Sequence, residues 1–298
     1  MNKKIKVILI LICIAIIIAV AFIVAKDKLN TNNSNENVVG KENQTNQVKE
    51  ETEAAEDLGQ TVSVSIDDDT VLDLINYVAP VNTSSELIFY QSKKVKLENL
   101  DNKLKLYTIF HNLEDEDADS KKEMKDENGE KVTHYYYTKD TVEKMAKKIF
   151  GPNATVNHES CEMYFGEAID YKDGTYDRHE YEGGGATPYE TSFSVVLRAE
   201  KNDKYMYIYE KYVHLIEITE EKEDETVTLG YDIYDSSDKA NKLAEKVNFE
   251  KQEISLDDDE DELKDIERFL GKEIVTYRNT YKLGEDGKYY WYSTEQVK

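Results

Sequence analysis

Apolar and polar positions follow four regimes along the chain. Val7–Ala25 is an unbroken run without a charge or a proline. At about 1.5 Å per helical residue it spans about 28 Å, close to the hydrocarbon thickness of a bilayer. Residues 26–61 are rich in Asn, Gln, Glu and Lys, too polar to offset the entropy of ordering, and read as a flexible stalk. Beyond the stalk the apolar positions first repeat at helical spacing and then at strand spacing.

Three helices are expected first. Val71, Leu74, Ile75 and Val78 follow the acidic triplet Asp67–Asp69, which suits the positive end of a helix dipole, and Pro80 stops them. A second helix covers residues 99–113, with Leu106, Ile109, Phe110 and Leu113 on one face. The third has Asp140 and Glu143 at its start and a stripe of Val142, Met145, Ala146, Ile149 and Phe150. Lys147 and Lys148 sit at its negative end, and Gly151-Pro152 closes it. Its Val142/Met145/Ile149 face is expected to pack on a sheet.

The period then becomes two. Cys161, Met163, Phe165, Ile169 and Tyr171 alternate with polar neighbours, and Asp173-Gly174 is a strong hairpin signal. Phe193, Val195, Leu197 and Ala199 form the next alternation, turned by Asn202-Asp203. In Tyr205–Glu221 three tyrosines share one face, and beyond Glu210-Lys211 both faces turn apolar. That implies a central or bulged strand. Val227, Leu229, Tyr231 and Ile233 make another strand. Helices are expected over residues 237–247 and 262–270, and a hairpin over 275–292 turns at Gly284–Gly287. The predicted fold is α+β: a curved antiparallel sheet of about six or seven strands, helices on one side, one transmembrane helix before it.

Charge fixes the address. Lys3, Lys4 and Lys6 precede the apolar run and acids follow at 50–57, which keeps residues 1–6 in the cytoplasm and exports the rest. A cleaved signal peptide is the alternative, with Ala19-Val20-Ala21 as a small-residue cleavage site. Either way residues 62–298 form an extracytoplasmic domain at the cell membrane. The net charge of −24 disfavours nucleic acid as a partner. Two cysteines, one of them inside the apolar run, make no disulfide framework.

Most of the 22 tyrosines suit sheet packing, where the ring is buried and the hydroxyl reaches a partner. The functional alternative is an aromatic platform for a saccharide, peptide or envelope protein, built from Tyr205, Tyr207, Tyr209, Tyr290 and Tyr292. The Gly183–Gly185 tract lacks the Lys-Ser/Thr of a phosphate loop. Asp115, Asp117 and Asp119 match the first calcium-loop spacings, but Ser120 and Asp126 stand where the glycine and the bidentate Glu belong. Residues 114–130 therefore read as a solvated insertion.

His158 and Cys161 lack a second ligand pair in sequence, although His134 or His179 could approach in space, so no metal or cofactor is expected. Cys161 alternates with packed residues and reads as a structural thiol rather than a nucleophile paired with His179 or His214. The architecture resembles the single-anchor envelope proteins of low-GC Gram-positive bacteria, a likeness that carries no site residues. The expectation is a membrane-anchored, non-catalytic binding domain. The alternative is an envelope hydrolase assembled from dispersed acids, His158, His179 and Cys161.

Overall fold

The computed structural model describes residues 60–78, 88–125, 129, 131–164, 167–180, 190–221, 226–254 and 259–297. The described residues fall within one compact unit, 57–298. The expected anchor, the stalk, Pro80 and the Gly183–Gly185 tract lie outside the described residues, as does Cys13. Among the described residues no helix is long and apolar enough to cross a membrane.

The described part is mostly antiparallel sheet with a few helices, in two sheets rather than the single one expected. The larger has the order β1(Val62–Val64)-β8(Glu190–Lys201)-β9(Tyr205–Glu221)-β12(Thr276–Leu283)-β13(Tyr289–Val297)-β2(Val95–Lys96). Strand β10 (Thr226–Tyr234) pairs with the second half of β9, and β11 (Lys242–Val247) pairs with β10. The smaller has the order β3(Ser120–Lys125)-β4(Lys131–Thr138)-β7(Thr175–Glu180)-β6(Glu167–Lys172)-β5(Cys161–Tyr164).

Strand β9 explains its own mixed pattern. It pairs with β8 on one edge, and on the other with β12 through residues 205–211 and β10 through 214–221. Its even positions Met206, Ile208 and Tyr212 join Ala199, Tyr277, Tyr281 and Trp291 in one core. That core is covered by α1 (Asp69–Val78), α2 (Asn102–His111) and α3 (Lys139–Phe150). The odd positions Val213 and Leu215 point the other way. They form a second core with Ile233, Val247 and Phe249 of the short helix α4 (Phe249–Gln252), and with Leu263 and Ile266 of α5 (Asp259–Leu270). Helices therefore cover both faces of the large sheet, not one. Val142, Met145 and Ile149 of α3 are buried in the first core, as their spacing predicts.

The local signals that held have local causes. Asp173 and Gly174 adopt φ of 51° and 86°, the two positive angles that a tight hairpin needs. The carboxylate of Asp101 accepts the Lys103 amide at 2.7 Å and starts α2. Helix α3 begins one residue earlier than expected, because the hydroxyl of Thr138, at the end of β4, accepts the Thr141 amide. Gly151 ends it at φ 101°.

Three readings are corrected. Residues 114–130 are not a plain insertion, since β3 pairs along its length with β4. Strand β3 is a fully exposed edge, SKKEMK, so it carries no apolar alternation, and its lysines discourage further pairing. Residues 242–247 form strand β11, not a helix. A register shift sets Tyr231 opposite Val247 and Ile233 opposite Ala244, so the apolar residues of β11 stand three apart as on a helix. A bulge at Leu197 turns that side chain outward and sends Ala199 to the face opposite Val195.

Candidate functional site

Most tyrosines are structural. Tyr90 stacks on Tyr212 with centroids 4.5 Å apart and meets the edge of Tyr277 at 5.1 Å. Its hydroxyl donates to Glu210 Oε2 at 2.8 Å, while Asn279 Nδ2 donates to Glu210 Oε1 at 2.7 Å. Burial pushes the Glu210 carboxyl above its usual range, against the bonds that hold it.

The five tyrosines singled out from sequence separate into two places. Tyr205, Tyr207 and Tyr209 share a face of β9, as expected, but Tyr207 and Tyr209 are only 3% and 4% exposed. The Arg198 guanidinium lies 3.6 Å above the Tyr209 ring, and that of Arg278 lies 5.5 Å from Tyr207. Arg278 in turn pairs with Glu295 at 2.5 Å. This layer of stacked rings and guanidinium groups closes the sheet face. Tyr292 lies against the half-buried Tyr205 at 5.9 Å, and Tyr290 sits elsewhere, in a groove.

That groove, of about 1010 Å³, runs between α1, α3 and the tip of the β12–β13 hairpin. Thr70, Asp73, Leu74 and Tyr77 line it from one face of α1, and Thr141, Lys144, Met145 and Lys148 from one face of α3. Leu74, Leu113 and Met145 form an apolar floor, and Tyr77, Tyr289 and Tyr290 supply rings. Lys144, Lys147, Lys148 and Lys288 face only two aspartates, Asp73 and Asp117, in the lining. A cationic groove is unexpected in a chain of net charge −24.

The hairpin tip is held in place. Tyr290 packs against Gly151 at the end of α3 and over Gly284, where an added Cβ would come within 2.7 Å of the ring. Its hydroxyl donates to Asp286 Oδ2 at 2.6 Å, and that bond pushes its pKa up to about 12. The Lys148 ammonium stands 5.8 Å from the Tyr77 ring. Tyr290 is legible in the sequence as an aromatic candidate, and Lys147 and Lys148 as the basic end of a helix, but their meeting in one groove requires two helices and a distant hairpin to come together.

The grouping of the alternative hydrolase reading, His158, His179 and Cys161, is split. His158 binds the Tyr176 hydroxyl at 2.8 Å and Glu143 at 3.3 Å. Cys161 lies opposite Ile169, whereas His179 lies opposite the neighbouring Ala168, which puts thiol and imidazole on opposite faces of the small sheet. His214 belongs to the large sheet. The calcium-like acids serve the backbone: Asp117 accepts the Glu114 amide at 3.0 Å, and Asp119 accepts the Thr138 amide at 2.7 Å.

Two groupings escaped the sequence because strand pairing alone creates them. His134 and His179 meet Asp177 on the outer face of the small sheet. On the large sheet Ser192 Oγ lies 2.9 Å from His214 Nδ1, and His214 Nε2 lies 3.1 Å from Glu190 Oε2. Burial alone would raise the Glu190 pKa, but bonds from His214 and Lys239 bring it down to about 2. Ser192 Oγ also contacts the Tyr212 hydroxyl at 2.9 Å, and His214 is fully buried.

No family model, no curated protein and no solved structure matches the chain.

Proposed function

We propose that residues 62–298 are a non-catalytic binding domain whose groove between α1, α3 and the β12–β13 tip takes an anionic saccharide chain. The observation that carries this reading is the convergence of four lysines and three tyrosines on one groove of an acidic chain. Tyrosine faces suit the apolar faces of sugar rings, and ammonium groups suit carboxylates or phosphates. The volume is at the upper end of the 300–1,000 Å³ of small-ligand sites, enough for several sugar units.

In this proposal the domain stands outside the cell on a stalk, residues 26–61, behind a membrane helix, residues 7–25. The length and flanking charges of the apolar run support that topology. Protease added to intact cells is expected to remove the domain, and its survival until lysis would reject the topology.

A charge pair at 4 Å in water contributes about 1 kcal/mol. Reversing Lys144 and Lys148 to Glu is therefore expected to weaken binding of acidic oligosaccharides about 30-fold or more, with a flatter salt dependence. Equal affinities of the variant and the parent, measured by calorimetry, would remove the reading. An acidic peptide that competes better than any glycan would change the ligand class.

The Ser192–His214–Glu190 chain favours a second reading, an envelope hydrolase with Ser192 as nucleophile, His214 as base and Glu190 as its orienting partner. Against it, Ser192 is also held by Tyr212, and the buried His214 has no open side toward a substrate. A fluorophosphonate probe that labels the protein but not its Ser192→Ala variant would establish the hydrolase. Absence of labelling leaves the relay as a structural hydrogen-bond chain.

A further inference from the structure

The outer face of the small sheet carries a second site, independent of the groove. His134 on β4 and His179 on β7 stack with centroids 4.4 Å apart and planes 16° from parallel. Asp177 lies two residues before His179 on the same face of the same strand. Its Oδ1 and Oδ2 lie 2.8 Å and 3.0 Å from His134 Nδ1, and Oδ1 lies 3.5 Å from His179 Nδ1. One ligand atom from each of the three residues falls within 4.8 Å of the others. All three side chains are partly buried, so they hold their geometry while the site stays open to solvent.

His179 Nδ1 is buried and makes no hydrogen bond among the described residues. A buried ring nitrogen without a hydrogen bond is costly, so such atoms are rarely left without a role. One carboxylate cannot form good bonds to both imidazoles at the observed 2.8 Å and 3.5 Å. A single cation between the three groups would satisfy all of them at once.

The geometry points to a binding site for a late first-row divalent ion of the zinc class, held by His134, Asp177 and His179. Two imidazoles and one carboxylate suit zinc, nickel or copper, whereas calcium and magnesium take all-oxygen shells. Ligands 2.0–2.1 Å from a tetrahedral zinc stand about 3.3 Å apart, which the His179–Asp177 separation already approximates. The two imidazoles, now 16° from parallel, turn about their side-chain bonds to aim their nitrogens at a common ion, and His134 retreats from Asp177 as they do. Three protein ligands leave a coordination position open, the arrangement of a site that takes an exogenous group. Asp170 faces Asp177 from β6 and extends the acidic side of the site. Lys122 faces His134 from the exposed edge strand β3, where its side chain is free to turn toward solvent.

The test is zinc titration of the metal-freed full-length chain in millimolar magnesium, which saturates loose binding to surface acids. One equivalent is expected to bind at micromolar or tighter Kd. His134→Ala and His179→Ala should each weaken it about tenfold or more. Cys161→Ser, on the opposite face, should leave it unchanged. The visible spectrum of the cobalt-loaded parent chain reports the ligand set without any variant, and bands of a nitrogen–oxygen set with no thiolate charge transfer are expected. The assignment is overturned by absence of stoichiometric uptake, by uptake that persists in the His134→Ala/His179→Ala double variant, or by a thiolate band.

Discussion

Tyr90→Phe isolates one hydroxyl at the centre of the fold. That hydroxyl donates to Glu210 at 2.8 Å and accepts from Asn279 Nδ2 at 3.2 Å. The phenyl ring keeps the stack on Tyr212 at 4.5 Å and the edge contact with Tyr277, so apolar burial is unchanged. What is lost is one donor to a carboxyl group that is 1% exposed. Leaving such a group short of a partner costs about 1–3 kcal/mol. In a body of this size about 2 kcal/mol lowers Tm by about 4–8 °C.

The pH dependence has a definite sign. Burial raises the folded pKa of Glu210, so its contribution is fully present below the unfolded value of about 4.3 and is lost as pH rises through the folded value. Without the Tyr90 donor the charged form is held less well, so the penalty of the variant grows toward neutral pH and shrinks in acid. Urea unfolding followed by the fluorescence of Trp291, the only tryptophan and fully buried, measures both effects. A loss below about 0.5 kcal/mol at neutral pH, within the range of an ordinary surface substitution, would refute the reasoning.

Other outcomes follow from the same structure. Met145 is 8% exposed between the groove floor and the first core, so Met145→Asp is expected to cost about 3 kcal/mol or more through a lost apolar contact and an unpaired buried charge. A thermal melt equal to that of the parent would place α3 elsewhere. The depressed carboxyl of Glu190 contributes stability above its unfolded pKa of about 4.3 that is lost as pH falls toward about 2. The stability difference between the parent and Glu190→Gln should therefore shrink across that window in acid urea melts, and a constant difference would remove the His214 and Lys239 bonds from the account.

How much was legible depends on whether a feature is local. The stripe of α3, the Asp173-Gly174 turn and the split faces of β9 rest on residues a few positions apart, and each came out as read. Strand β3 was invisible because an exposed edge carries no apolar period, and β11 was misread because a register shift imitates helical spacing. The setting of the tyrosine face is hidden in the sequence for a related reason. The strand pattern of Tyr205, Tyr207 and Tyr209 is correct, but Arg198 and Arg278, from neighbouring strands, cover the rings. The joining of the α3 lysines with Lys288 and the groove tyrosines, the Ser192–His214 contact and the His134–Asp177–His179 cluster depend on distant segments meeting, for which no short motif exists.

Lysine footprinting tests the binding reading most directly. The full-length chain is reductively methylated with and without saturating acidic oligosaccharide, and each lysine is quantified by mass spectrometry. The account expects protection concentrated at Lys144, Lys147, Lys148 and Lys288, with Lys94 and Lys239 unchanged. Protection spread evenly over the surface lysines, or none at the four in the groove, would contradict it.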